Sequence, residues 1–233
     1  MTDTENKNLL TGEYGFYDEL KGNALVTDSA LAINYSQNND SLYMHGDTLR
    51  LITYNMNTDS VYRKTFVYHK VRIYKSDLQG VCDSLVFNSQ DSCMTMYHDP
   101  IVWNGKQQLF GEEIRAYMND STIDWAHIIN QAMSIEQMDS VHYNQVSGKE
   151  IKAYFTGGDL RQVDVIGNVR LGYFPVDGKD STLIGYITAE SSLMNVYLLQ
   201  RKVQKIKMTT QTDGVMYPML QIPEDKLYLP SFA

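Results

Sequence analysis

The nine residues "VDVIGNVRL", 163 to 171, alternate apolar and polar side chains around a central Gly-Asn pair, and variants of this stretch recur along the chain. Alternation with period two puts one set of side chains on each face of a strand. A motif repeated in this way cannot bury its apolar face alone, so the copies must stack. The relatives are "LKGNALV" from Leu20, "TFVYHKVRI" from Thr65, "TMYHDPIVW" from Thr95 and "AHIINQAMS" from Ala126, with central pairs near residues 22, 69, 99, 130 and 167. A second kind of strand alternates with the first: "TDSALAINY" from Thr27, "GDTLRLITY" from Gly46, "CDSLVF" from Cys82, "GEEIRAYM" from Gly111, "GKEIKAYF" from Gly148 and, more loosely, "AESSLMNVYL" from Ala189.

Polar turns such as "SQNNDS", "NMNTDS", "NSQDS", "MNDST", "TGGD" and "VDGKDS" separate many of these runs. Seventeen tyrosines and five prolines suit strands. The pattern predicts an almost all-β chain of about a dozen strands of about five to nine residues, in a rolled or stacked sheet. Only "SIEQMDSVHYNQ" has helical flavour. Residues 1–8 read as a flexible end, 9–200 as the repeat domain, and 201–233 as a closing strand and tail, or the place where a longer protein was cut.

Aligning the first kind of strand places Val67, Val71, Ile73, Tyr97, Ile101, Trp103, Ile128, Ala132, Val163, Val165, Val169 and Leu171 on one face. The second kind adds Leu49, Leu51, Leu85, Phe87, Ile114, Ala116, Ile151 and Ala153 in matching register. Two such rows make a long apolar interior. It is either the filled core of a sandwich or an apolar groove in which a hydrocarbon ligand lies. Small residues in the rows, Gly22, Ala24, Gly46, Ala116, Ala132, Ala153 and Gly167, leave room that a packed core would fill.

The net charge of -8, with no basic run, argues against nucleic acid and against an anionic membrane surface. No stretch has the roughly 20 apolar residues of a membrane-spanning helix. The first residues carry no signal-peptide pattern, which fits a cytosolic start or a mature chain without its signal. Cys82 and Cys93 flank a turn-like stretch and read either as a hairpin disulfide or as buried free thiols.

Catalytic signals are thin. His45, His69, His98, His127 and His142 lack the pair spacing of a metal site, although three of them recur at equal intervals and could align on neighbouring strands. Asp28, Asp47, Asp83, Glu112 and Glu113 open the second kind of strand, where a short polar side chain caps a turn. Asn39 and Asn119 match the glycosylation sequon, a cheap match in Asn-rich turns. No nucleophile elbow, phosphate loop or dinucleotide fingerprint is present. The reading is non-enzymatic, with no cofactor and no metal.

"IGNVRL" and "LKGNALV" resemble the repeated Gly-Asn-Val strand of the OstA/LptA-like family of periplasmic lipopolysaccharide-transport proteins. "GDTLRLITY", "GEEIRAYM" and "YNQVSGKEIKAYF" resemble its second strand and a segment of its Bacteroidetes branch, and the resemblance covers about residues 10 to 200. It implies a twisted open β-jellyroll, two antiparallel sheets in a V, whose inward rows hold the acyl chains of lipid A. It also implies a periplasmic location and head-to-tail pairing of edge strands with other jellyroll-containing transport components or with further copies. The competing reading is a structural or interaction β-repeat with a closed interior and no lipid. Asp99-Pro100 departs from the family's Gly-Asn, and Pro100 cannot donate to a ladder, which predicts an edge or bulge there.

Overall fold

The computed structural model describes residues 2–4, 7–35, 41–119, 122–179, 182–200, 202–230 and 232. The turn at 36–40, the sequon residue Asn39 and residues 120 and 121 after Asn119 lie outside them. Seventeen strands are present among the described residues: β1 (Thr2–Asp3), β2 (Asn8–Thr11), β3 (Tyr14–Asp18), β4 (Asn23–Asn34), β5 (Leu42–Tyr54), β6 (Tyr62–Lys75), β7 (Leu78–Asn88), β8 (Cys93–Tyr97), β9 (Ile101–Asn104), β10 (Gln107–Phe110), β11 (Glu113–Asn119), β12 (Thr122–Gln137), β13 (Tyr143–Thr156), β14 (Asp159–Tyr173), β15 (Gly185–Leu199), β16 (Lys202–Thr209) and β17 (Asp213–Pro218). Two single-turn 3-10 helices, Met219–Gln221 and Glu224–Lys226, follow. The chain is all-β.

Several strands are much longer than the sequence suggests, up to the 16 residues of β12. The central pair of the motif is a corner, inside a strand at four of its six copies. At each corner two consecutive residues have positive φ: Asp28-Ser29 (60° and 61°), His69-Lys70 (60° and 53°), His98-Asp99 (62° and 53°), Asn130-Gln131 (55° and 47°), Gly167-Asn168 (77° and 50°) and Thr210-Gln211 (68° and 52°). Two residues of one strand then oppose a single residue of its neighbour, as between β6 and β7, where register jumps from Tyr68↔Ser84 to Val71↔Cys82. Such a double bulge bends the strand while the ladder resumes beyond it.

Gly, Asn and Asp recur at the corners because left-handed backbone costs other residues about 1–2 kcal/mol. The first corner is Asp28-Ser29; Gly22, taken as its anchor from sequence, is a single positive-φ residue just before β4. Thr210-Gln211 supplies a sixth copy between β16 and β17, in the segment where the sequence pattern is hard to follow. At the third corner the strand is interrupted outright, because Pro100 lacks an N–H, and β8 and β9 pair separately with β7.

"SIEQMDSVHYNQ" is strand, turn and strand, and not helical: the Asp139 carboxylate accepts from the N–H groups of Val141 and His142, both 2.9 Å, and closes the β12–β13 turn.

The chain divides into two compact units, residues 1–105 with 113–121, and residues 106–112 with 122–233. In the first, register runs from β4 through β5, β6 and β7 to β8, and β11 pairs with β8. In the second, it runs from β12 through β13 and β14 to β15, which carries β16 on one arm and β17 on the other. Beside the second arm of β12 lies β10.

Candidate apolar strip and the surfaces around it

In the first unit, Val26, Leu49, Val67, Leu85, Met96 and Ile114 stand opposite one another on six strands, one row before the corner. All are at most 6% exposed. The next row out is Ala24, Leu51, Thr65, Phe87, Met94 and Ala116, of which Leu51, Thr65, Phe87 and Met94 are half-buried. In the second unit the row beside the corner is Ile128, Ile151, Val165, Met194 and Met208. Its first four members are at most 1% exposed. Ala126, Ala153, Val163, Val196 and Ile206 follow, the last three half-buried. Beyond the corners the same face continues through Val71 and Ile73 in the first unit and through Ala132, Val169 and Leu171 in the second, all buried. The strip is therefore closed at its corner and along the arm beyond it, and is half-exposed along the arm before the corner.

Three positions fall elsewhere. Val102, not Ile101 or Trp103, pairs with Gly80 opposite Ile73, so Ile101 and Trp103 share the face of Arg72 and Tyr74. Tyr97 pairs with Ser84 on that opposite parity too, and Met96 takes the inner place. The cause is local: His98-Asp99 is the corner pair, which puts Pro100 at the position Val71 holds in β6 and shifts parity by one relative to a Gly-Asn alignment on Asp99-Pro100.

The small residues follow a packing rule. A Cβ built on Gly46 would lie 2.6 Å from Val67 Cγ1, one on Gly111 2.7 Å from Ile128 Cγ2, and one on Gly148 2.6 Å from Val165 Cγ1. Gly12 meets Val26 Cγ1 in the same way. Each of these four glycines is covered by a branched methyl from a neighbouring strand, so the room at Gly46 is already taken. Repetition of a small residue ahead of the second kind of strand was the sequence signal for this contact.

Polar side chains collect on the other side of the corners. In the second unit Glu112, Asn130, Gln131, Lys149, Asn168 and Arg170 line a cleft of about 650 Å³. There the Glu112 carboxylate accepts from Asn130 Nδ2 (3.0 Å) and Gln131 Nε2 (2.9 Å). In the first unit His69 Nδ1 is 3.6 Å from Asp83 Oδ1. Asp28 is itself a corner residue, and Glu113 pairs with Arg115. Asp28, Asp47 and Asp83 thus sit inside strands and not in end turns, with Asp47 and Asp83 exposed, whereas Glu112 lies between β10 and β11 and Glu113 opens β11.

His127 Nε2 lies 2.9 Å from Glu150 Oε2 on the outer face, and that hydrogen bond holds the Glu150 carboxyl below its usual range. His142 Nδ1 is 2.7 Å from Asp139. Two of the histidines, His69 and His98, sit at equivalent corner positions, but His127 lies short of its corner, so the equal sequence spacing does not place all three in one row. Among the described residues no three His, Cys, Asp or Glu side chains form a metal-ligating group. Cys82 and Cys93 are both free. Cys82 faces Val71 and Cys93 faces Asn88, several pairs apart, so no hairpin bridge joins them. Burial pushes the Cys82 thiol up to about 12 and raises Cys93 as well.

The chain after β17 forms a feature the sequence reading missed. It crosses the outer face of the second unit's second arm. Gln145, 2% exposed, donates from Nε2 to the Leu227 carbonyl (2.7 Å) and accepts from the Leu229 N–H (2.8 Å). Tyr186 Oη donates to the Lys226 carbonyl at 3.0 Å. Phe232 packs on Tyr143 and Tyr228 with ring centroids 5.3 and 4.5 Å apart. Burial raises the Tyr186 hydroxyl to about 12, so it stays a donor. Gln145 needs these partners because a fully buried amide left unpaired is costly, but its burial is not visible in the sequence.

No helix among the described residues is long and apolar enough to cross a membrane. No family model matches the sequence, and no curated protein does. Among solved structures the chain is similar to LptH of Pseudomonas aeruginosa, described as the LptA-homologous periplasmic component of the lipopolysaccharide transport device, at 14% identity and a TM-score of 0.45, over 60% of this chain and 95% of that one.

Proposed function

We propose that this protein is a non-catalytic carrier of lipopolysaccharide in the periplasm, holding lipid A acyl chains along the apolar strip of each unit in a V-shaped jellyroll. The observation that carries this reading is the single-parity ladder, sealed beside the corner and half-exposed along the arm that precedes it. The sequence resemblance of "IGNVRL" and "GKEIKAYF" to the OstA/LptA-like repeat supports the choice of ligand. Each methylene moved from water onto such a surface contributes about 0.8 kcal/mol, so ten buried methylenes supply roughly 8 kcal/mol without any cationic patch. That suits a chain of net charge -8.

The protein would join other jellyroll-containing components, or copies of its own chain, by strand pairing at its ends. β3 takes its register from β4 and β16 from β15. Tyr14, Phe16, Leu199 and Val203 are exposed on these strands or beside them, as at a surface awaiting a partner strand.

The second reading, a structural β-repeat with a closed interior, draws on the complete burial of Val67, Ile128 and Val165. Photocrosslinking residues at Phe87 and Val163, with controls at their opposite-face neighbours Val86 and Asp164, separate the two. Lipopolysaccharide adducts from the first pair alone are expected. Adducts from neither pair, or only from the controls, would favour the closed repeat.

A further inference from the structure

Gly172 lies between Gln145 and Tyr186. It pairs with Gln145 on β13, and a Cβ built on it would collide with the Tyr186 hydroxyl. The missing side chain lets the phenol lie flat across β14. Gln145 and Tyr186 thereby present one acceptor and two donors to the main chain of one turn, residues 226 to 229, where Leu227 caps the second 3-10 helix at φ -62° and ψ -31°. All of these bonds go to main-chain groups, so the seat reads a turn-forming peptide through its backbone, with the Phe232 ring as an anchor on Tyr143.

The seated segment is lightly held elsewhere. The two 3-10 turns leading to it bury no residue. A cleft of about 600 Å³ remains where Tyr228, Leu229 and Pro230 face Arg170, Thr188 and Val215.

We propose that Gln145, Gly172 and Tyr186 form a backbone-reading peptide clamp that residues 226–230 occupy exchangeably, and that the same segment of a second copy is its partner in trans. The inference does not depend on the lipid reading. Within one chain the tethered segment is present at an effective concentration of roughly millimolar. Exchange between copies is therefore seen when the cis arrangement is disabled on one side.

The test mixes two full-length variants. Gln145→Ala removes the clamp's amide and keeps the segment; Leu229→Pro removes the N–H that Gln145 accepts and keeps the clamp. Sedimentation of each alone at about 50 µM should show a monomer, and the mixture should show a heterodimer, because the intact segment of the first seats in the intact clamp of the second. A mixture that stays monomeric to about 1 mM would overturn exchange and leave a fixed intrachain clasp. Should either variant fail to fold, a synthetic peptide spanning 222–233 is titrated into the wild-type chain. Displacement of the native segment, read from the Gln145 side-chain amide resonances at millimolar peptide, is expected; unchanged resonances would overturn the proposal.

Discussion

Val67 Cγ1 occupies the space that a side chain on Gly46 would need, with a built Cβ only 2.6 Å away. The same contact joins Gly148 to Val165 in the second unit. Because Val67 and Val165 are fully buried, neither can swing aside without disturbing a ladder neighbour. Gly46→Ala and Gly148→Ala should each destabilise the protein by about 1–3 kcal/mol through overpacking. Denaturant unfolding measures this, and pairing Gly148→Ala with Val165→Ala should recover less destabilisation than the sum of the two alone.

Gly167 sits at φ 77°, where a β-branched residue is strained, and its Cβ would lie 3.0 Å from the Cβ of Lys149. Gly167→Val should cost about 1–3 kcal/mol. Asn168→Gly, at φ 50°, should change stability by under about 1 kcal/mol, since relief of strain is offset by added freedom of the unfolded chain. Thermal melts of the two variants check both.

The Val141 N–H and then the His142 side chain hold the Asp139 carboxyl at about 2, against an ordinary 3.8. A depressed carboxyl stabilises the fold above its unfolded value and loses that contribution as pH falls from about 3.8 towards 2. Following the carboxyl carbon by NMR should give a midpoint near 2 in the parent. His142→Ala should raise it only part of the way, because the larger cause, the backbone donor, remains.

The Cys82 thiol, raised to about 12 from an ordinary 9.0, stays protonated in the folded chain. Thiolate is the reactive form, so maleimide at pH 8 should modify Cys82 far more slowly in the native protein than in urea. The sign for stability follows from the raised value: the contribution is intact below pH 9.0 and is lost as pH climbs towards 12, where the unfolded chain ionises first. Cys82→Ala should flatten that alkaline decline in a pH series of unfolding midpoints.

Period-two alternation determined the all-β class and the parity of most of the strip, because a strand's side chains change face at every residue whatever surrounds it. Leu49, Val67, Leu85, Ile128 and Val165 were therefore legible one by one. Parity failed at Ile101 and Trp103, where the alignment centred on Asp99-Pro100 but the corner falls one residue earlier, on His98-Asp99. The sequence could also show that a small residue recurs at Gly46, Gly111 and Gly148, but not what fills the space.

Tertiary structure decided the rest. Whether a polar pair ends a strand or bends it depends on the register of the neighbouring strand, a pairing made between residues far apart in the chain. The seating of residues 226 to 229 on Gln145 and Tyr186 is likewise invisible to local pattern. Its hydrogen bonds join positions more than 80 residues apart at Gln145 and 40 apart at Tyr186, and they go to backbone atoms that every residue carries.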